Sequence, residues 1–258
     1  MPNKRFRRGI YLLPSLFTVG NLFCGFASIV QTSLGRFELA AILIIVSGIL
    51  DGLDGRIARL TGTTSDFGVE FDSLADIVSF GVAPAFLVFS WVLHPLGRAG
   101  WLAAFVFVVC AAMRLARFNI RRNTTEKRYF AGLPSPPAAG LAAAVVFAFP
   151  EPAGIAWLPL AALPLMVGLA VLMVSRFRYR SFKDLNLQSR QSYINILLIA
   201  AVLIGVFMDP QITLLSAGLL YVLSGPALYL WSLPRRFGKR AAGDRSTEGE
   251  VADDPVPR

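Results

Sequence analysis

Residues 39–50 read Leu39-Ala40-Ala41-Ile42-Leu43-Ile44-Ile45-Val46-Ser47-Gly48-Ile49-Leu50, twelve positions without a charge, and the chain then runs straight into Asp51 and Asp54. Extended from Phe37 to about Leu60, this stretch has the length that crosses a hydrocarbon slab of about 30 Å as a helix. Comparable runs lie on both sides of it: Ile10 to Leu34, about Asp66 to Leu93, Ala99 to about Asn119, Ser135 to Phe149, Ile155 to Ser175, Ser192 to Met208 and Ile212 to Leu233. The first carries Pro14, Gly20 and Asn21, is long, and lacks a cleavage site, so it reads as a retained helix and not a signal peptide. The expected fold class is therefore all-α, a polytopic integral membrane helix bundle of about eight transmembrane helices. Composition agrees. The 258 residues are 55% hydrophobic and 16% charged, with a mean hydropathy of +0.60, where a soluble domain carries roughly 25% charge. Secreted, disordered and cytosolic proteins are excluded.

Charge orients the bundle. With eight spans, 23 of the 25 Lys and Arg residues fall on one side and only Arg36 and Arg98 on the other. The positive-inside rule then places both termini in the cytoplasm, and the expected location is the cell inner membrane, as a multi-pass chain. Residues 1–9 form a basic cytoplasmic tail, 10–237 the membrane domain, and the polar segment 238–258 a disordered cytoplasmic tail. The net charge of +9 does not point to nucleic acid, since the basic residues flank apolar runs and form no aromatic-interleaved basic domain. Cys24 and Cys110 sit far apart in apolar stretches and read as small hydrophobes, without a metal or disulfide framework. His94, the one histidine, falls on the non-cytoplasmic side and takes no catalytic role.

Four acidic residues stand where hydrocarbon is expected: Asp51 and Asp54 in the second span, Asp72 and Asp76 at the start of the third. Each costs about 2.5–3.5 kcal/mol on insertion scales if uncompensated. Asp51, Asp54, Gly55, Ala58 and Arg59 recur at i, i+3, i+4, i+7 and i+8, one helical face; Gly68, Asp72 and Asp76 at i, i+4 and i+8 form another. The link Thr61-Gly62-Thr63-Thr64-Ser65 is short enough to fold the two helices into a hairpin. A lone intramembrane Asp often serves helix–helix hydrogen bonding, and Asp51 has Arg114 or Arg117 as possible partners. Four carboxylates on matched faces instead repel one another unless hard cations intervene. Mg²⁺ or Mn²⁺ suits oxygen ligands, and two ions fit about 3.5–4 Å apart between shared carboxylates. Gly55, Ala58 and Gly68 leave the same face bare, which admits a flat ligand or close helix packing.

The pattern Asp51-x-x-Asp54-Gly55-x-x-Ala58-Arg59-x8-Gly68-x-x-x-Asp72-x-x-x-Asp76 resembles the signature of the CDP-alcohol phosphotransferase family, with all eight defining positions present. Three other stretches are similar to the bacterial-type phosphatidylserine synthases of that family: Leu16 to Phe26, Met113 to Asn119, and Phe130-x-Gly132-Leu133-Pro134-Ser135-Pro136. The Pro14-Ser15 pair departs from the Pro-Asn of several glycerol-using relatives and argues against a glycerol phosphate acceptor.

The resemblance implies transfer of a phosphatidyl group from CDP-diacylglycerol to L-serine, with release of CMP. By analogy Asp51, Asp54, Asp72 and Asp76 ligate the metals and Asp76 is the general base. Gly55, Ala58, Arg59 and Gly68 accommodate the CDP moiety. Arg114, Arg117, Asn21 and Ser135 are candidates for binding serine, whose carboxylate needs a cation. A homodimer, membrane lipids as neighbours and an active site toward the cytoplasm are further implications. The same chemistry with inositol phosphate, glycerol phosphate or choline is the alternative, and a divalent-cation transporter a distant one.

Overall fold

The computed structural model describes residues 4–61, 66–121, 130–152, 157–175, 177–179, 197, 200 and 203–248. Among the described residues helix dominates, with one two-residue antiparallel strand pairing. The helices are α1 (Lys4–Ser33), α2 (Phe37–Thr61), α3 (Asp66–Leu96), α4 (Arg98–Arg121), α5 (Ser135–Ala148), α6 (Leu158–Val174) and α7 (Pro210–Glu248). Segments Leu16–Ser33, Asp66–Leu96, Arg98–Ile120 and Pro210–Tyr229 are long and apolar enough to cross a membrane, and α5 and α6 are shorter apolar helices. This is a membrane protein. Most of the seventh expected span, Ser192 to Met208, lies outside the described residues, although 203–208 are helical.

Reversals occur where the sequence supplies glycine in left-handed backbone. Gly35 (φ +74°) closes α1, with the Arg36 N–H donating to the Gln31 carbonyl at 2.9 Å, and Gly97 (φ +56°) separates α3 from α4. The α1–α2 hairpin is stitched by the Ser28 hydroxyl, which donates to the Ala40 carbonyl at 2.9 Å. Ala40 and Ala41 are fully buried there, small enough for the helices to approach closely.

α3 is not a uniform α-helix. After Asp66–Asp76 it widens into π-helical turns at Ile77–Val82 and again at Phe89–Leu93. Its aspartate-bearing start packs mainly on α1, while the first π segment also reaches α2. The α1–α3 approach is set by Gly25, where a Cβ would lie 2.8 Å from the Ser79 Cα.

The helix that holds the bundle together is α5, a mere 14 residues. Ala138, Ala139, Leu141, Ala142, Ala143 and Val146 are each at most 1% exposed, and the helix packs between α2, α3 and α7. A helix apolar all round belongs in a core, and its alanines let three neighbours close on it. Leu87, Phe107, Met166 and Leu169 complete the packing. Side chains such as Trp101, Leu102, Phe105, Leu160, Leu220 and Leu223 are at least half exposed, the surface that lipid covers.

Candidate functional site

Asp51 of α2 and Asp72 and Asp76 of α3 each offer one carboxylate oxygen to a cluster in which all three lie within 4.8 Å of one another, partly buried. Asp72 and Asp76 share a face because they are one turn apart. α1 forms the next wall. Asn21 is fully buried, and its Nδ2 donates to Asp76 Oδ1 at 3.2 Å. The Ser79 hydroxyl, from the first π turn, donates to the Asn21 carbonyl at 3.0 Å, so the α1–α3 crossing at Gly25 also fixes the Asp76 carboxylate.

Asp54 lies outside that group of three. It is 6% exposed, and its carboxylate accepts a hydrogen bond from the Thr18 hydroxyl. Thr18 and Asn21, at i and i+3 on α1, thus hold one carboxylate from each of the neighbouring helices. Thr18→Val is expected to leave a buried carboxylate short of a donor, lowering stability by about 1–3 kcal/mol. Thermal unfolding in detergent checks this, with Thr18→Ser close to wild type.

The opposite wall carries the positive charge. Arg114 of α4 interacts electrostatically with Asp76 and Asp51, and with Tyr221 of α7. Its Nη1 donates to the Ser135 hydroxyl at 2.8 Å. Ser135 is held at the start of α5 by the preceding loop. Phe130 pairs with Tyr179 and Ala131 with Arg178; the Gly132 N–H donates to the Phe177 carbonyl and the Leu133 N–H to the Leu172 carbonyl, both at 2.9 Å. Gly132 has φ +94°, and a Cβ there would collide with the Met173 carbonyl.

The sequence-expected residues thus divide. Asp51, Asp72, Asp76, Asn21, Arg114 and Ser135 surround one place. Arg117 is partly buried, and its Nη1 lies 3.5 Å from the carbonyl of Val174, the last residue of α6, the usual position of a cation at a helix C-terminus. Gly55 is exposed and Gly68 half-buried on the helical faces that lead into the cluster. Ala58 and Arg59 continue α2 as helix, and their side chains lie outside the described residues. Thr18, Ser79 and Tyr221 were not singled out in the sequence. Thr18 alone had a signal, since it stands three residues before Asn21.

The donor set fits a hard divalent cation. Three carboxylates converge, and no His or Cys stands with them in that group among the described residues. Oxygen-only ligation is what Mg²⁺ and Mn²⁺ take.

Residues 11–176, which contain the whole cluster, match the sequence model of a family described as CDP-alcohol phosphatidyltransferase. The chain belongs to that family. It is similar to the CDP-diacylglycerol–serine O-phosphatidyltransferase of Helicobacter pylori (strain ATCC 700392 / 26695), 45% identical over 182 residues, 69% of this chain and 75% of that protein. A protein of the same name from Bacillus subtilis (strain 168) is 34% identical over 171 residues, covering 66% of this chain and 91% of its own. A third, from Methanocaldococcus jannaschii, is 41% identical over 129 residues, 50% and 57% of the two chains. This CDP-alcohol phosphatidyltransferase is accordingly an enzyme of phospholipid synthesis, and its aspartate cluster sits within the segment that defines the family.

Proposed function

We propose that this enzyme transfers the phosphatidyl group of CDP-diacylglycerol to the hydroxyl of L-serine, giving phosphatidylserine and CMP. The observation that carries the reading is the convergence of Asp51, Asp72 and Asp76 opposite Arg114. Asp51, Asp72 and Asp76, with Asp54 beside them, would hold one or two Mg²⁺ or Mn²⁺ ions. When bound, such ions neutralise the diphosphate and the departing CMP, which is most of what a phosphoryl transfer needs.

The chain's own residues supply position and proton handling. The open face of α2 and α3 at Gly55 and Gly68, with Ala58 and Arg59 one turn on, receives the cytidine and its phosphates. Asp76, held by Asn21, accepts the serine hydroxyl proton as the oxygen attacks phosphorus; a carboxylate is a weak base, so the transfer is concerted with attack. Arg114, braced by Ser135, receives the serine carboxylate.

The same reading sets the topology: eight spans within a membrane domain of residues 10–237, both termini and the active site cytoplasmic, in the inner membrane, as a homodimer. The lipid tails then stay in hydrocarbon while CMP and serine exchange with water.

Release of CMP by the purified protein tests the proposal. The expected result is release with L-serine and Mg²⁺ or Mn²⁺, and loss of it on chelation. Glycerol phosphate, inositol phosphate and choline should give background rates. Turnover with any of these matching that with serine would overturn the acceptor assignment, and undiminished turnover after chelation the metal assignment.

A further inference from the structure

The family match ends at residue 176, and the contact that docks the last helix lies beyond it. Among the described residues, α7 has α5 and the short strand Arg178–Tyr179 as its main neighbours. The sequence of α7 is shaped to receive that strand. Pro226 has no N–H to give the carbonyl of Val222 four residues earlier, and a carbonyl left bare in hydrocarbon is costly. The Tyr179 hydroxyl donates to that carbonyl at 3.1 Å. Gly225 makes the room, since a Cβ there would overlap the ring of Tyr179, which is buried. Phe177, two residues earlier, packs edge-on against Tyr229 of α7 with ring centroids 5.0 Å apart. The same segment holds the loop ahead of α5. Phe130 pairs with Tyr179, and the Gly132 N–H donates to the Phe177 carbonyl at 2.9 Å. Ser135 follows shortly after Gly132 and accepts a hydrogen bond from Arg114 at 2.8 Å.

We infer that Tyr179 is a positioning residue for the acceptor side of the site: its seat on Val222 and Gly225 of α7 fixes the strand that holds Ser135 and, through Ser135, the Arg114 guanidinium. Every link in that chain is a hydrogen bond or a strand pairing. A strand pairing this short has little stability of its own, so the loop stays where its outer partner is anchored. α7 supplies the anchor through the Tyr179 hydroxyl and the ring contacts of Phe177 and Tyr179. Arg114 is then held in one orientation before the acceptor arrives, which reduces the ordering cost of binding its carboxylate. The inference rests on the serine reading above.

Thermal unfolding and steady-state CMP release test it in the full-length enzyme with saturating Mn²⁺. Tyr179→Phe keeps the ring and leaves the Val222 carbonyl without its donor. The expected result is a lower melting temperature and a KM for L-serine raised about three- to tenfold, the scale of one lost hydrogen bond. KM for CDP-diacylglycerol should stay at its wild-type value. Adding Pro226→Ala returns an N–H to the Val222 carbonyl, so the double variant should regain the melting temperature and keep the raised serine KM. In a Ser135→Ala background, Tyr179→Phe should add nothing further to the serine KM, because the last link is already cut. An unchanged serine KM in Tyr179→Phe, or one that recovers together with the melting temperature, overturns the inference while the serine reading stands. An additive rise in the Ser135→Ala background does the same. A wild-type enzyme inert toward serine overturns both.

Discussion

Asp76→Asn is expected to lower phosphatidyl transfer by about three orders of magnitude or more and, in the presence of chelator, to leave the protein more stable than wild type. The two effects come from one geometry. Three carboxylate oxygens within 4.8 Å of one another repel by on the order of 3 kcal/mol per charged pair at an effective dielectric near 20. Arg114 offsets part of that. Replacing one carboxylate with an amide of the same shape removes two repulsions, so the melting temperature in chelator should rise. Saturating Mn²⁺ should reverse the order. The wild-type site gains about 2.7 kcal/mol at a hundred times its dissociation constant, and the variant, short of a ligand, gains less. Thermal unfolding of both proteins with and without metal, alongside CMP release, checks this. A variant less stable than wild type in chelator would show that the cluster is held together by bonds to the protein and not poised for a cation.

Gly132→Ala is expected to cost about 3–5 kcal/mol and to take activity with it. The residue has φ +94°, and the added methyl would meet the Met173 carbonyl. Relief requires the loop to lift off the end of α6, breaking the bonds from the Gly132 and Leu133 N–H groups to Phe177 and Leu172. Ser135 follows only a few residues later, so Arg114 loses its hydroxyl partner when the loop moves. Gly35→Ala is the control. Its φ is +74° but nothing lies within 4 Å of the new Cβ, so it should cost only the backbone penalty of about 1–2 kcal/mol. Melting curves for both variants, with serine KM for whichever remain folded, separate steric collision from conformational cost.

The helices α1 to α6 stand where the apolar runs put them, because a run of that length has no other way to satisfy its backbone in hydrocarbon. The aspartate faces were legible for the same reason: Asp72 and Asp76 are four residues apart and point within about 40° of each other. Asp51 and Asp54, three apart, diverge by about 60°. That is enough for Asp51 to join α3 while Asp54 turns to Thr18 on α1. Shared-face arithmetic groups all four and does not resolve this difference. Nor does it find partners that tertiary packing alone supplies. Thr18 and Asp54 are 36 residues apart, Asn21 and Asp76 are 55 apart, and Tyr221 comes from a helix beyond the family segment. The central place of α5 was equally hidden, since a short alanine-rich run looks the same whether it faces lipid or three helices.

The widened turns at Ile77–Val82 have a consequence for how this helix tolerates change. One additional residue per turn advances the phase by about 100°. The rod therefore presents acid groups to one quadrant before the bulge and buries Ser79 and Phe80 within it. Removing one residue from 77–82 would straighten the rod, keep its upper and lower halves individually sound, and rotate them out of step. Insertions and deletions there should be far more damaging than substitutions of similar size.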